Sequence, residues 1–148
     1  MRAALEEARM ALEGGEVPVG AVVARGDVII AAAHNEREKT GDPTAHAEVL
    51  ALRRAAAALG RRRLRDCTLY VTLEPCPMCA GAAVMAQIGA IYYGAYDPRC
   101  GCAGSVYALT EDPAFGLIAP CMGGLLQAEC AKMLDAFFQA KRGEETDL

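Results

Sequence analysis

No run of apolar residues in this chain approaches the roughly 20 needed to cross a bilayer. Runs such as Ala82 to Ala86 and Ala55 to Leu59 are far shorter. The opening Met-Arg-Ala-Ala-Leu-Glu-Glu lacks the basic-then-apolar order of an export signal, and the two absences together predict a cytoplasmic protein. Positive charge is also in short supply: 15 Lys and Arg against 19 Asp and Glu leave a net charge of −4. No global field therefore draws the chain to a polyanion, and any nucleic-acid contact must come from a local cluster. Two clusters qualify. Arg61, Arg62, Arg63 and Arg65, with Arg53 and Arg54 just before them, form one, and Lys141 with Arg142 forms the other; each reads equally well as a solvated helix end or tail. Repeats, low-complexity stretches and linkers are missing too, so residues 1–148 are expected to form one domain. Histidine is scarce, with two in the chain, which restricts the choice of metal ligands discussed below.

Apolar residues make up 53 % and charged residues 23 %, a balance that suits a folded globular chain and excludes a disordered one. Cysteine is abundant. Seven are present, an odd number, and Cys76 and Cys79 are spaced as Cys-x-x-Cys. In a chain with no export signal this favours metal or redox chemistry over a disulfide framework.

The apolar spacing of Ala4, Leu5, Ala8, Ala11 and Leu12 predicts a helix over Arg2 to Leu12, ending at Gly14-Gly15. Val17 to Ala24 and Val28 to Ala33, separated by Arg25-Gly26-Asp27, predict an antiparallel hairpin. Asp42-Pro43-Thr44 supplies N-cap residues and a first-turn proline, so a helix is expected from there to Leu59, with His46 and Glu48 in its opening turn. Cys67 to Leu73 reads as a buried strand that stops at Glu74-Pro75. Pro77 restarts the chain as a helix over Met78 to Gln87, whose small and apolar residues leave no evident solvent face. It should be buried in the core or against another subunit. Ala90 to Gly94 is a further strand, Leu117 to Ala119 a possible last one, and a helix should close the chain from about Gly124 to Lys141. Helices alternating with strands predict an α/β/α sandwich around a mixed sheet. Strand order is not legible in these patterns.

A catalytic zinc site commonly has three protein ligands and one position for water, and His46, Cys76 and Cys79 supply such a set. Two thiolates and a neutral imidazole cancel the charge of the ion, which raises the value of a nearby base. Glu48, two residues from His46, is placed to carry protons. Taken singly, His46 could be a core histidine, and Cys76 and Cys79 a redox pair or half of a structural zinc site. Those readings leave Glu48, or Glu48 and His46, without a role.

His46-Ala47-Glu48 followed by Pro75-Cys76-Pro77-Met78-Cys79 matches the H-x-E…P-C-x-x-C signature of the zinc nucleobase deaminases. Glu16 to Val22, Asp42 to Glu48, Leu69 to Cys76 and Met78 to Ala82 extend the match, and from Arg2 to Arg142 the chain resembles the bacterial transfer-RNA adenosine deaminase (TadA) family. The resemblance implies a cytidine-deaminase-like fold and a homodimer. It implies one zinc ion per chain and hydrolysis of the wobble adenosine of an anticodon stem-loop to inosine by zinc-activated water. His46, Cys76 and Cys79 would hold zinc, Glu48 would shuttle protons, and Asn35 would hydrogen-bond the flipped-out base. The Ala47 backbone would steady the reacting group, and Asp97 would contact the neighbouring nucleotide. Phe137, Phe138, Lys141 and Arg142 would flank the RNA. Without the resemblance, Asn35 reads as a turn residue and Phe137 and Phe138 as core. The signature alone does not separate this substrate from a free base or nucleoside such as guanine, cytosine or cytidine. An inactive zinc-stabilised RNA-binding subunit would be expected to have replaced Glu48. Cys100 and Cys102 depart from the family's pattern and are expected to be tolerated in a reducing cytosol.

Overall fold

The computed structural model describes residues 1–146, so the last two positions of the expected 1–148 domain lie outside the described residues. Helix α1 (Arg2–Glu13) buries Ala4, Leu5, Ala8 and Ala11 along one stripe and ends at Gly14, as its spacing predicts. Strands β1 (Gly20–Arg25) and β2 (Val28–His34) pair antiparallel with Arg25 opposite Val28, which makes Gly26-Asp27 the two-residue turn. The first strand begins at Gly20 rather than Val17, because Pro18 has no N–H for a ladder. Val19 instead donates to the Val17 carbonyl at 2.8 Å, in a tight turn ahead of the strand. A Cβ at Gly20 would collide with the backbone of α1 at Ala4 and Ala8, so glycine is what lets that helix seat directly on the sheet.

Strand β3 (Thr68–Leu73) pairs antiparallel with the other edge of β1, and β4 (Ala90–Ala95) lies parallel to β3. The last strand, β5, is Cys121–Met122 and not Leu117 to Ala119. In the latter segment the Ala119 N–H turns away to the Thr110 carbonyl, and pairing with β4 begins only where the Pro120 carbonyl accepts from Ile91. The order is β2-β1-β3-β4-β5: antiparallel at one side, parallel at the other, with β3 shared.

A single turn, α2 (Arg37–Thr40), precedes α3 (Ala47–Leu59), which starts five residues later than Asp42. The Asp42 carboxylate accepts from the Thr44 N–H and hydroxyl at 2.8 and 2.7 Å, so the residues read as a helix cap close a local turn instead. His46 is the N-cap and Gly60, left-handed, the C-cap. Helix α4 (Pro77–Met85) has Cys76 as N-cap and Pro77 in its first turn, and α5 (Gln127–Thr146) closes the fold. Helices α1 and α5 pack on one face of the sheet; α3 lies on the other, with α4 against it. Leu64, Leu69, Val71 and Ile91 are fully buried at the centre, each worth roughly 1.5–3 kcal/mol of apolar burial. The sheet is thus mixed and covered on both faces, as the alternation of elements predicts.

Among the described residues no helix is long and apolar enough to cross a membrane. The arginines from Arg61 to Arg65 follow the C-terminal end of α3, about 20 Å along the helix from its start. Arg61 there pairs with Asp66 at 2.5 Å and Arg65 with Gln87 at 2.6 Å.

Candidate active site

Parallel strands β3 and β4 end side by side at Leu73 and Ala95, and the two helices α3 and α4 begin at that same edge of the sheet. Crevices outside the carboxyl ends of strands are where α/β sheets bind ligands. Here the geometry follows from the two helix starts: His46 is the N-cap of one, Cys76 the N-cap of the other, and Cys79 lies in the first turn after Cys76. His46 Nδ1 is 3.6 Å from Cys76 Sγ and 3.4 Å from Cys79 Sγ, and one donor atom from each residue lies within 4.8 Å of the other two. One nitrogen and two sulfurs converging this closely fit a metal of zinc's preferences, with a fourth position left open.

The electrostatics suit a cation. The Cys76 thiol is pulled down to about 4 by the hydrogen bond from Cys79 and by His46, against the opposing effect of burial. Cys79 is pushed up by that same bond, by burial and by the Glu48 carboxylate, so the two sulfurs share one proton. His46 is raised, chiefly through its bond to Cys76. Unsatisfied N–H groups at the start of α4 favour the anionic sulfur further.

Glu48 is 4 % exposed, on the inner side of the first turn of α3. Burial raises its carboxyl above the usual range, although its own backbone N–H and the Cys79 thiol hydrogen-bond to it and act in the opposite direction. A cleft of about 110 Å³ opens over these groups, lined by Val17, Asn35, Arg37, His46, Glu48, Leu73, Glu74, Cys76, Asp97 and Cys100.

Each remaining residue singled out in the sequence has a definite place. Asn35 is not a free turn residue: its Nδ2 donates to the Val17 carbonyl at 3.1 Å and its Oδ1 accepts from the Ala47 N–H at 2.9 Å. The Ala47 N–H and the Asn35 side chain thus hold each other at the edge of the cleft. Asp97 lines the cleft but turns its carboxylate into its own loop, accepting from the Arg99 and Cys100 N–H groups at 3.0 and 3.4 Å and from the Cys100 thiol at 3.1 Å. Burial raises its pKa, and these donors more than offset that, so it is held below the usual carboxylate range. Phe138 packs edge-on to Phe137 and against the core, with the Arg99 guanidinium 6.0 Å from the centre of its ring. Phe137 and Lys141 line a second depression of about 420 Å³ that shares Val17, Asn35 and Arg37 with the cleft. Lys141 also reaches Glu144 at 3.3 Å. Arg142 lies on the exposed face of α5, one residue beyond Lys141. Cys100 is exposed at the cleft and Cys102 buried, and every cysteine from Cys67 to Cys130 is unpaired.

Arg37 and Glu74 also line the cleft, though the sequence reading assigns neither a role. Arg37 has no sequence signal. Glu74 has one: an acid placed between the end of a buried strand and Pro75-Cys76.

Comparison with known proteins gives a consistent picture. Residues 1–112 match the model of the MafB19-like deaminase family. A tRNA-specific adenosine deaminase of Bacillus subtilis is 48 % identical over 142 residues, covering 96 % of this chain and 88 % of the relative. A solved structure from a study of A-to-I editing by tRNA:A34 deaminases at the wobble position is similar at a TM-score of 0.87 and 43 % identity. The match covers 90 % of this chain and 97 % of that one. A guanine deaminase from Nitrosomonas europaea is similar at a TM-score of 0.77 and 26 % identity, over 90 % of this chain and 80 % of that one.

Proposed function

The chain belongs to the tRNA-specific adenosine deaminases, and from that membership we propose that it hydrolyses the wobble adenosine of a transfer-RNA anticodon to inosine, releasing ammonia. The observation that carries the chemistry is the convergence of His46, Cys76 and Cys79 beside a buried Glu48 at the floor of one cleft. Kinship over nearly the whole chain selects the substrate. Acting on transfer RNA, the enzyme would work in the cytoplasm.

His46, Cys76 and Cys79 would hold one zinc ion, which when bound supplies a Lewis acid that activates water near neutral pH. The protein's own residues do the rest. Glu48, kept protonatable by its burial, takes the proton of the attacking water and passes protons to the ring nitrogen and to the departing amine. Asn35 has one Nδ2 hydrogen beyond its bond to Val17, and offers it to the flipped-out base. The Ala47 N–H fixes the orientation of Asn35. Asp97, facing the same cleft, meets the neighbouring nucleotide through the part of its carboxylate that the loop leaves open. An unstacked loop base can enter such a cleft, whereas a base within a helical stem cannot.

Phe137, Phe138, Lys141 and Arg142 form the flank for the RNA on α5. With a net charge of −4, binding depends on these few cations. Lys141→Ala should weaken stem-loop binding alike for all loop sequences and reduce the salt slope of log K by about 0.7–0.9. Titrations at several salt concentrations read this directly; an unchanged slope would place the RNA elsewhere.

Helix α4 is buried along Cys79, Ala80, Ala83 and Val84, while Met78, Gly81 and Ala82 are half-buried and Met85 is 73 % exposed. This open apolar stripe is the face of a homodimer. Met85→Glu should shift the light-scattering mass from twice the 15.6 kDa of one chain toward that of a single chain.

The test of the reaction is incubation of the zinc-loaded protein with an anticodon stem-loop carrying a wobble adenosine, followed by nucleoside mass spectrometry. Inosine is the expected product. Conversion of free guanine to xanthine, with no inosine from the RNA, would move the substrate to a free base.

A further inference from the structure

Glu74 is 2 % exposed, and a carboxylate so thoroughly removed from water needs strong compensation. All of its donors come from one loop, and none is a cation. Oε1 accepts from the Asp97 N–H at 3.2 Å and from the Ser105 hydroxyl. Oε2 accepts from the Ala103 and Ser105 N–H groups at 3.2 and 3.0 Å. The main chain on either side is tied to the same region, the Glu74 N–H to the Ala95 carbonyl at 2.9 Å and the Pro75 carbonyl to the Cys102 N–H at 2.8 Å. A Cβ at Gly101 would collide with this carboxylate, so the loop is wrapped onto it with no space between. Two residues after Glu74 comes Cys76, and the wrapped loop begins at Asp97. Both line the cleft.

We infer that Glu74 is a positioning residue for the deamination: a buried anionic hub that fixes the substrate-facing loop from Asp97 to Ser105 relative to the turn carrying Cys76 and Cys79. The inference rests on the proposed reaction for its consequence, and on geometry alone for the hub. An extended polypeptide loop at a cleft wall has many accessible conformations. Four hydrogen bonds converging on one side chain select one of them, and charge-assisted bonds of this kind are the stronger class.

Glutamine in place of Glu74 isolates the effect, since it keeps the volume and loses one acceptor oxygen. If its amide NH2 faced Ala103 and Ser105, two N–H donors would lose their acceptor. Facing Asp97 and the Ser105 hydroxyl, it loses one, because the hydroxyl can turn and accept. The variant therefore keeps Ala103 and Ser105 and releases Asp97.

The experiment compares wild type, Glu74→Gln, Asp97→Ala and the double variant in three measurements: zinc content, amide hydrogen exchange, and steady-state kinetics on the stem-loop. In Glu74→Gln, zinc should stay near one per chain, and exchange should accelerate in residues 97–105 but not in α4. kcat/KM should fall about tenfold or more, because a released loop misplaces the substrate contacts it carries, through KM more than kcat. In the Asp97→Ala background the same change should cost far less, because the two act on one contact. Full additivity of the two losses, or exchange that accelerates equally in α4, would overturn the inference. If Glu74→Gln failed to fold, Ser105→Ala would carry the test, as it removes a single donor from Oε1: faster exchange in residues 97–105 alone is the expected result, and none the overturning one. Lack of inosine from wild type would count against the proposed reaction, while the exchange data would still decide whether Glu74 holds the loop.

Discussion

Glu48→Gln is expected to retain the fold and about one zinc per chain while losing on the order of 10²–10⁴-fold in inosine formation, the span typical for loss of a general acid–base group. The reasoning starts from burial. At 4 % exposure the side chain has no bulk water to exchange protons with, so any proton it handles comes from or goes to the reacting species in the cleft. Burial raises its pKa, which brings its proton affinity closer to neutrality, where a group that must first accept and then donate works best. Glutamine matches the shape and cannot accept a proton at any working pH. Because it removes a transition-state function and leaves the cleft walls in place, the loss should fall on kcat, with KM little changed. A variant that remained active would show that protons travel by another route, and a variant that lost zinc would move Glu48 into the metal-holding set.

The second large effect is expected from stripping the metal. Chelation should abolish turnover and lower Tm by roughly 10 °C. A ligand present at about a thousandfold its dissociation constant contributes ~4.1 kcal/mol, and each kcal/mol moves the Tm of a domain of this size by about 2–4 °C. Proton release gives a finer check. At pH 7 Cys76, held at about 4, is already ionised, while Cys79, pushed up, keeps its proton. Uptake must expel that proton, and a further fraction from His46, whose pKa is raised. Between one and two protons should therefore appear per zinc bound, and apparent affinity should fall as the pH falls, most steeply once Cys76 also protonates near 4. A pH-stat titration of the metal-free protein measures this; release close to zero would mean that the two sulfurs are not ligands.

The elements were legible wherever one physical signal dominated. The stripe of α1, the Gly26-Asp27 turn and the apolar run of β3 each follow from a single periodicity or a single turn, and each forms within a residue or three of its expected place. The cluster of His46, Cys76 and Cys79 was legible in the His-Ala-Glu triplet and the Cys-x-x-Cys spacing, although the start of α3 was not. What escaped depends on contacts between distant segments. Asp42 has the same chemistry whether it caps a helix or closes a turn on Thr44, and only the tertiary placement of His46 decides between them. Asn35 and Ala47 were each marked for the substrate, yet they meet each other across twelve residues. Glu74 stood inside a recognised motif, but its four donors lie 23 to 31 residues away, beyond the reach of any local pattern. The basic run from Arg61 to Arg65 lies at the end of α3 opposite His46, a placement its local pattern could not reveal.

The order of His46, the cysteines, the Asp97 loop and α5 along the chain is also an order in time. His46 is made thirty residues before Cys76, at the start of α3 and after the β1–β2 hairpin. Cys79 follows three residues later, and at that point the complete donor set exists. The loop wrapped on Glu74 has yet to be synthesised, and the flank of Phe137, Phe138 and Lys141 comes last. Synthesis runs from the N-terminus, so a nascent chain carries all three candidate ligands before it carries the residues proposed to flank the RNA. A nascent fragment ending shortly after α4 thus has the donor set in its sequence and no helix α5 beside it.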